Sequence, residues 1–289
     1  MINFQSEAID RFVTELRQCY EETYGQLKQE NASILGGMGH LALENIANSD
    51  ALYHNVEHTM MVTLVGQEIL RGKHLRDGCV SPRDWLHFIV ACLCHDIGYV
   101  RGVCRNDILG HYDNGFGELA AFPACGTDAA LTPIHVDRSK LFVRERFSDM
   151  TSGFDVETVC AYIEKTRFNP ADLAKEEDIY DFPALTRAAD FIGQLGDPGY
   201  LRKIPALYYE FAEIGAQIKL GYENPEQMRT SYAKFFWQVV SPHIQGALHY
   251  LSITQRGKQW IASLYSHVFA VEHRATVQSV RMPAGMIFE

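Results

Sequence analysis

The chain has 289 residues, of which 47% are hydrophobic, and a formal net charge of −10. That is enough apolar material for a substantial core, in one large domain or two small ones. The acidic balance argues against a nucleic-acid binder, which carries a basic excess, although a local cationic or metal site can still receive a phosphate. The seven cysteines are scattered and form no CxxC pair, so a thiolate zinc site is not expected and free thiols suit a reducing cytoplasm. The opening stretch MINFQSEAIDRF lacks the apolar core of a signal peptide, and no apolar run reaches membrane-spanning length. The expectation is a soluble, cytoplasmic protein with neither a membrane nor a nucleic-acid partner.

In chain order, residues 4–30 predict an amphipathic helix, with Ile9, Phe12, Val13, Leu16, Tyr20, Tyr24 and Leu27 at three–four spacing. A second helix over roughly 33–47 is weakened by Gly36, Gly37 and Gly39. The segment Tyr53-His54-Asn55-Val56-Glu57-His58 then runs into a helical stripe of Val62, Val65, Ile69 and Leu70. His58 borders the core-facing side of that helix, and His54 shares its face if the helix begins by Asn55. The next helix has a clear start, with Ser81 as N-cap, Pro82 at the first position and Asp84 in the first turn. Its apolar run ends in Cys94-His95-Asp96-Ile97-Gly98, where Gly98 is expected to let the chain turn away. An imidazole and a carboxylate at the end of a buried run are costly unless something pairs with them. A metal ion would do so, with further ligands from elsewhere in the chain.

Residues 99–132 are glycine-rich and irregular, with Arg101, Arg105, Asp107, His111 and Asp113. They are read either as a mobile segment beside the site or as a surface loop. Pro133 is expected to open another helix, marked by Ile134, Leu141, Val143 and Phe147. Phe154–Phe168 predicts a further one, followed by an acidic surface stretch from Ala171 to Ile179. Asp190 lies between Ala188-Ala189 and Phe191-Ile192, a setting in which a carboxylate needs a partner, and it would bring a third helix to the metal. Residues 200–273 are helical and aromatic-rich, and 274–289 are expected to form a tail. With no alternating strand series and no linker, the expectation is one all-α domain over 1–273.

His58, the adjacent His95-Asp96 pair and Asp190 form an ordered set that resembles the HD superfamily of metal-dependent phosphohydrolases. The YHNVEH stretch, residues 53–58, is similar to the YHNxxH signature of class I cyclic nucleotide phosphodiesterases, and Thr166 and Ala189-Asp190 follow in that family's order. The resemblance covers about 50–200 and implies an HD-type helical core with additional N- and C-terminal helices. It implies His58, His95, Asp96 and Asp190 as ligands of one or two divalent ions (Mn, Fe, Zn or Mg), with Asp96 bridging to a second ion. It also implies His54 as the general acid; the plainer reading of His54 is a structural hydrogen bond. His135 is either a second-metal ligand, a phosphate contact or a capping histidine, and His111 is similarly placed. Arg101, Arg105 and Arg138 are candidate phosphate contacts, and Gln259 and Trp260 a loose counterpart of the family's purine-gripping residues. Two departures stand out: Ile97-Gly98-Tyr99-Val100 replaces the family's Asp-His-Pro-Gly, and Arg167 replaces an acidic residue.

Two imidazoles and two carboxylates suit a borderline-to-hard dication, and a metal-activated water is a competent nucleophile near neutral pH. The expected function is therefore a phosphohydrolase, foremost a phosphodiesterase acting on a small phosphoester or a (cyclic) nucleotide. The alternatives are an HD-fold di-iron oxygenase and a non-catalytic nucleotide-sensing module. The oligomeric state is open, a homodimer included.

Overall fold

In the computed structural model, helix α3 (Val56–Asp77) is the rod on which the neighbouring helices pack. The structure describes residues 3–123, 125–149, 153–168 and 178–279. The Asn55 side chain caps α3 by accepting from the backbone N–H groups of Glu57 and His58, and Gly78 closes it in the left-handed conformation. Val62, Val65, Ile69 and Leu70 are all but fully buried. Helices α4 (Pro82–Cys94) and α7 (Phe182–Leu195) lie against this rod. The contact with α7 depends on Gly193, where a Cβ would fall 2.6 Å from Val62 Cα. Only a hydrogen at that position lets the two backbones meet, and their approach brings Asp190 towards His58.

The N-terminal pair is α1 (Phe4–Tyr24) and α2 (Glu30–Ile46). The expected single helix to residue 30 stops six residues early, because Gly25 takes a positive φ of 59°, and Leu27 is exposed rather than buried. Helix α2 forms despite its glycines. A Cβ at Gly36 or Gly39 would come within 3.0 Å of Arg17 Cδ or Val13 Cγ2, so the low helix propensity of these glycines is offset by close packing on α1. Helix α4 begins as expected, with Ser81 and Asp84 forming a reciprocal capping box, and every residue from Trp85 to Cys94 is buried.

The described residues of 99–132 are not a loose loop. A 3-10 turn (Ile97–Tyr99), the antiparallel strands β1 (His111–Asp113) and β2 (Leu119–Ala121), and a second 3-10 turn (Asp128–Leu131) lead into α5 (His135–Phe147). The segment is organised by Arg138 of α5, whose side chain is wholly buried. Its Nε donates to Gly98 O at 2.7 Å, Nη1 to Asp107 Oδ1 at 2.8 Å and Asp113 O at 2.9 Å, and Nη2 to Val100 O at 2.9 Å and Asp107 Oδ2 at 2.8 Å. This corrects the expectation of a phosphate contact at Arg138, since its donors are already used within the fold. Arg101 binds Thr127 O and Asp128, and Arg105 binds Glu145, so both are likewise engaged internally.

Helix α6 spans Val156–Glu164, capped by Asp155. The expected acidic stretch 171–179 lies almost wholly outside the described residues. Beyond α7 the chain continues through α8 (Tyr200–Glu213), the short α9 (Ala216–Lys219), α10 (Pro225–Thr230) and α11 (Tyr232–Phe235), a π turn (Phe236–Val240), α12 (Ser241–Leu251) and α13 (Gln255–Ser279). Helix α13 runs past residue 274, where a tail was expected. The fold is all-α, its only strands among the described residues being β1 and β2. No helix among the described residues is long and apolar enough to cross a membrane.

Replacing Arg138 by Met leaves the Asp107 carboxylate buried without its partner. The variant should lose about 3–5 kcal/mol in urea-denaturation measurements.

Candidate metal centre

The centre is assembled from the ends and faces of separate helices. His58 lies in the first turn of α3, His95 is the C-cap of α4 with Asp96 directly after it, and Asp190 comes from α7. The His95 Nδ1–H donates to Cys92 O at 2.8 Å, which leaves the Nε2 lone pair free to face the cluster. The His95–Asp96 turn is clamped by α5. Ser139 Oγ donates to His95 O at 2.7 Å and accepts from the Gly98 N–H at 2.9 Å. A Cβ on Gly98 would lie 1.9 Å from the His135 carbonyl oxygen. Gly98 is thus required for close approach to α5; its φ is not positive, and the expected turning role does not explain it.

The donor atoms converge closely. His58 Nε2 is 3.4 Å from His95 Nε2, 3.3 Å from Asp96 Oδ2 and 3.4 Å from Asp190 Oδ1. His95 Nε2 is 3.1 Å from Asp96 Oδ2 and 3.6 Å from Asp190 Oδ1. Ligand bonds of about 2.1 Å give polyhedron edges of about 3.0 Å for octahedral and about 3.4 Å for tetrahedral geometry, so these separations fit donors around one small cation. His58, His95 and Asp96 are buried, while the Asp190 side chain is 22% exposed, which opens the cluster to solvent on that side. Asp96 Oδ2 and His58 Nδ1 have no hydrogen-bond partner among the described residues. A cation would satisfy the buried carboxylate oxygen, which is costly to leave unpaired. These residues can therefore hold a metal ion.

The electrostatics agree. Burial works against a charged His95, yet the Asp96 and Asp190 carboxylates hold its pKa well above the usual imidazole value. Burial opposes ionisation of Asp190, but hydrogen bonding to His58 and His95 draws its pKa down to about 2. Asp96 is likewise held well below the carboxylate range by the neighbouring imidazoles, against its burial. The site thus stabilises positive charge between two carboxylates, and a dication with two neutral imidazoles completes that balance.

His54 precedes the N-cap Asn55, so the helix begins too late for it to lie one helical turn below His58. It is placed instead by Glu210 of α8. This carboxylate accepts from the backbone N–H groups of Tyr53 at 2.6 Å and His54 at 3.2 Å, and from His54 Nδ1 at 2.5 Å. A ring nitrogen of His54 still lies within 4.8 Å of the donor atoms of His58 and Asp96. Burial lowers the His54 pKa, but the Glu210 carboxylate outweighs it and raises the value to about 9. His54 also stacks on Tyr99 (centroids 4.7 Å apart), and His135 stacks on the same ring at 4.3 Å, so Tyr99 is sandwiched between two histidines. The His135 Nδ1–H donates to Thr132 O at 2.6 Å, and its Nε2 lies 3.7 Å from Asp96 Oδ1. Its pKa is lowered, chiefly by burial.

The other candidates lie apart. His111 is exposed on β1 and belongs to neither group of donors. Gln259 and Trp260 line a groove between α1, α3 and α13 that none of the cluster residues lines. Thr166 closes the end of α6 through Ile163 O, and Arg167 pairs with Asp137 and Glu164. Sequence reasoning missed Glu210, Tyr99 and Ser139. Only Glu210 carries a sequence signal, because it stands three residues after Leu207 on the buried stripe of α8, an unusual place for an unpaired carboxylate.

Residues 2–274 match the Npun_R2479-like family. The chain belongs to that family. The match runs from α1 almost to the end of α13, so the centre is embedded in a fold that the family covers nearly end to end. No curated protein matches the chain.

Adding Mn²⁺, Fe²⁺ or Zn²⁺ to metal-stripped protein should raise its Tm by about 5 °C or more at concentrations well above the dissociation constant. In Asp190→Asn the rise should shrink to a small fraction, as read by differential scanning calorimetry.

Proposed function

We propose that this chain is a metal-dependent phosphohydrolase, foremost a phosphodiesterase acting on a small phosphoester such as a nucleotide. The observation that carries the reading is the convergence of His58, His95, Asp96 and Asp190, whose donor atoms lie 3.1–3.6 Å apart in the five measured pairs. The ordered motif that resembles the HD superfamily, with YHNVEH before it, supports the same reading. A bound divalent ion would supply Lewis-acid activation of water and neutralise phosphoryl charge. The exposed edge of Asp190 is the side from which a substrate reaches the cluster.

His54 is the proton donor to the leaving oxygen. Glu210 fixes the Nδ1–H tautomer and favours the imidazolium, so the ring holds a transferable proton at neutral pH. Tyr99 limits rotation of the ring by stacking on it. His135 stacks on Tyr99 as well, and its Nε2 lies 3.7 Å from Asp96 Oδ1.

A second reading, an HD-fold di-iron oxygenase, is favoured by the 3.7 Å approach of His135 Nε2 to Asp96 Oδ1, which could complete part of a second ion site. Elemental analysis separates the two. Two irons per chain with an oxygen-dependent visible spectrum favour the oxygenase, whereas a colourless metal with turnover favours hydrolysis.

Metal-loaded protein should hydrolyse bis(p-nitrophenyl) phosphate. Asp96→Ala should abolish the activity, and undiminished turnover in that variant would refute the assignment. His54→Gln should lower kcat by about 10²–10⁴-fold while metal content is retained, and Glu210→Gln, which removes the carboxylate that raises the His54 pKa, should give a smaller loss and move the basic limb of the pH–rate profile to lower pH.

A further inference from the structure

We propose that the free edge of strand β2 is a self-association surface, on which a second copy of this chain adds its own β2 in antiparallel register to make a four-stranded sheet. The hydrogen bonds of the hairpin fix which groups are free. Phe122 N donates to Gly110 O at 3.0 Å, and Asn114 N donates to Glu118 O at 2.9 Å. Bonded pairs recur at every second position of an antiparallel ladder, so the bonded pair between these two is Tyr112↔Ala120. His111 and Asp113 must then turn their backbone groups away from β2. They do: His111 exchanges two 2.9 Å bonds with Ile108, and Asp113 N donates to Asp107 Oδ1 at 2.9 Å. By the same alternation Leu119 and Ala121 point their N–H and C=O groups away from β1. Among the described residues nothing hydrogen-bonds to these four groups on that side.

The edge is rigid, apolar and unguarded. Tyr112 is buried, with the Arg101 and Arg138 guanidinium carbons 5.6 and 5.7 Å from its ring centroid. The turn before β2 is pressed onto α5 at Gly115, where a Cβ would fall 2.6 Å from Asp137 Cβ. The sequence of β2, Leu119-Ala120-Ala121, holds neither the lysine nor the proline that commonly guards an open edge. Large exposed apolar side chains stand at both ends of it, Phe116 and Leu119 at one and Ile108 and Leu109 at the other. Two features select a second copy as the occupant. A two-fold axis beside Ala120 pairs Leu119 of each copy with Ala121 of the other, so the free groups of both strands are satisfied in one closed contact of four hydrogen bonds. The same axis sets the Phe116–Leu119 end of one copy against the Ile108–Leu109 end of the other. Charge agrees: the chain carries a net −10, yet residues 116–123 bring only Glu118 to the contact, so two acidic copies can approach here. None of the metal-centre residues takes part, so the association is independent of the proposed hydrolysis.

Sedimentation equilibrium of the full chain should show a reversible monomer–dimer equilibrium, and the Leu119 and Ala121 amides should exchange with deuterium more slowly as concentration rises. Ala121→Pro removes an N–H that the hairpin does not use and deletes two of the four intermolecular bonds, so it should weaken the dimer about 10-fold or more. Leu119→Lys, a change at an exposed position, should weaken it several-fold at least and leave the Tm of the monomer unaltered. Leu75→Ser, at an exposed leucine near the end of α3, should leave the dimer as it is. With the exposed Cys79 and Cys125 changed to Ser, Ala120→Cys should cross-link the two copies on mild oxidation, because the axis sets the two Ala120 positions opposite each other. A chain that stays monomeric up to about 1 mM, a dimer that either strand variant leaves unweakened, or one that Ala120→Cys fails to cross-link would overturn the proposal.

Discussion

Two carboxylates and two imidazoles meet in the interior of this protein, and their charges must balance there. Asp96 and Asp190 would repel each other if left alone, and burying either costs free energy unless a positive group lies between them. The imidazoles can answer with protons or can serve as neutral donors around a dication. The measured separations, 3.1–3.6 Å, are those of donors arranged around a cation. Much of the surrounding packing serves to hold four side chains from three helices at those distances.

Three devices accomplish this. Gly193 admits α7 to the backbone of α3, which brings Asp190 within reach of His58. Gly98 and Ser139 lock the turn after His95 to the start of α5, so that His95 and Asp96 leave the end of α4 pointing into one cluster. Arg138 then ties the chain after that turn to β1 and to Asp107 with five hydrogen bonds. A buried guanidinium with every donor matched is rigid, because losing any one bond strands a polar group. The glycine-rich segment therefore acts as a buttress behind the His-Asp turn.

The surroundings of His54 rest on a different element. Glu210 arrives from α8, more than 150 residues downstream, and holds both the backbone and the ring of the YHN segment. Tyr99 stands between His54 and His135, so the only aromatic residue of the 3-10 turn after Asp96 joins the two flanks of the cluster. In this way α8, whose sequence looks like ordinary aromatic packing, becomes part of the centre.

The all-α character, the Ser81 cap that starts α4, the buried stripe of α3 and the four prospective ligands were legible in the sequence, because each rests on local spacing or on a polar residue set among apolar neighbours. Helix ends were less so: α1 stops at Gly25, and His54 falls outside α3, because a single cap or a positive φ overrides the periodicity. Arg138 and Gly98 were misread for one reason. An arginine beside a presumed phosphate site and a glycine after a helix have obvious local roles, while their actual roles depend on backbone atoms brought near only by folding. Glu210, Tyr99 and Ser139 act through partners distant in the chain or on another element, and no spacing rule reports such contacts. The amino-acid order by itself determined which residue types were available and which helices they would ride on. Tertiary structure alone decided which of them meet, since burial, tautomer and charge balance are properties of the assembled neighbourhood.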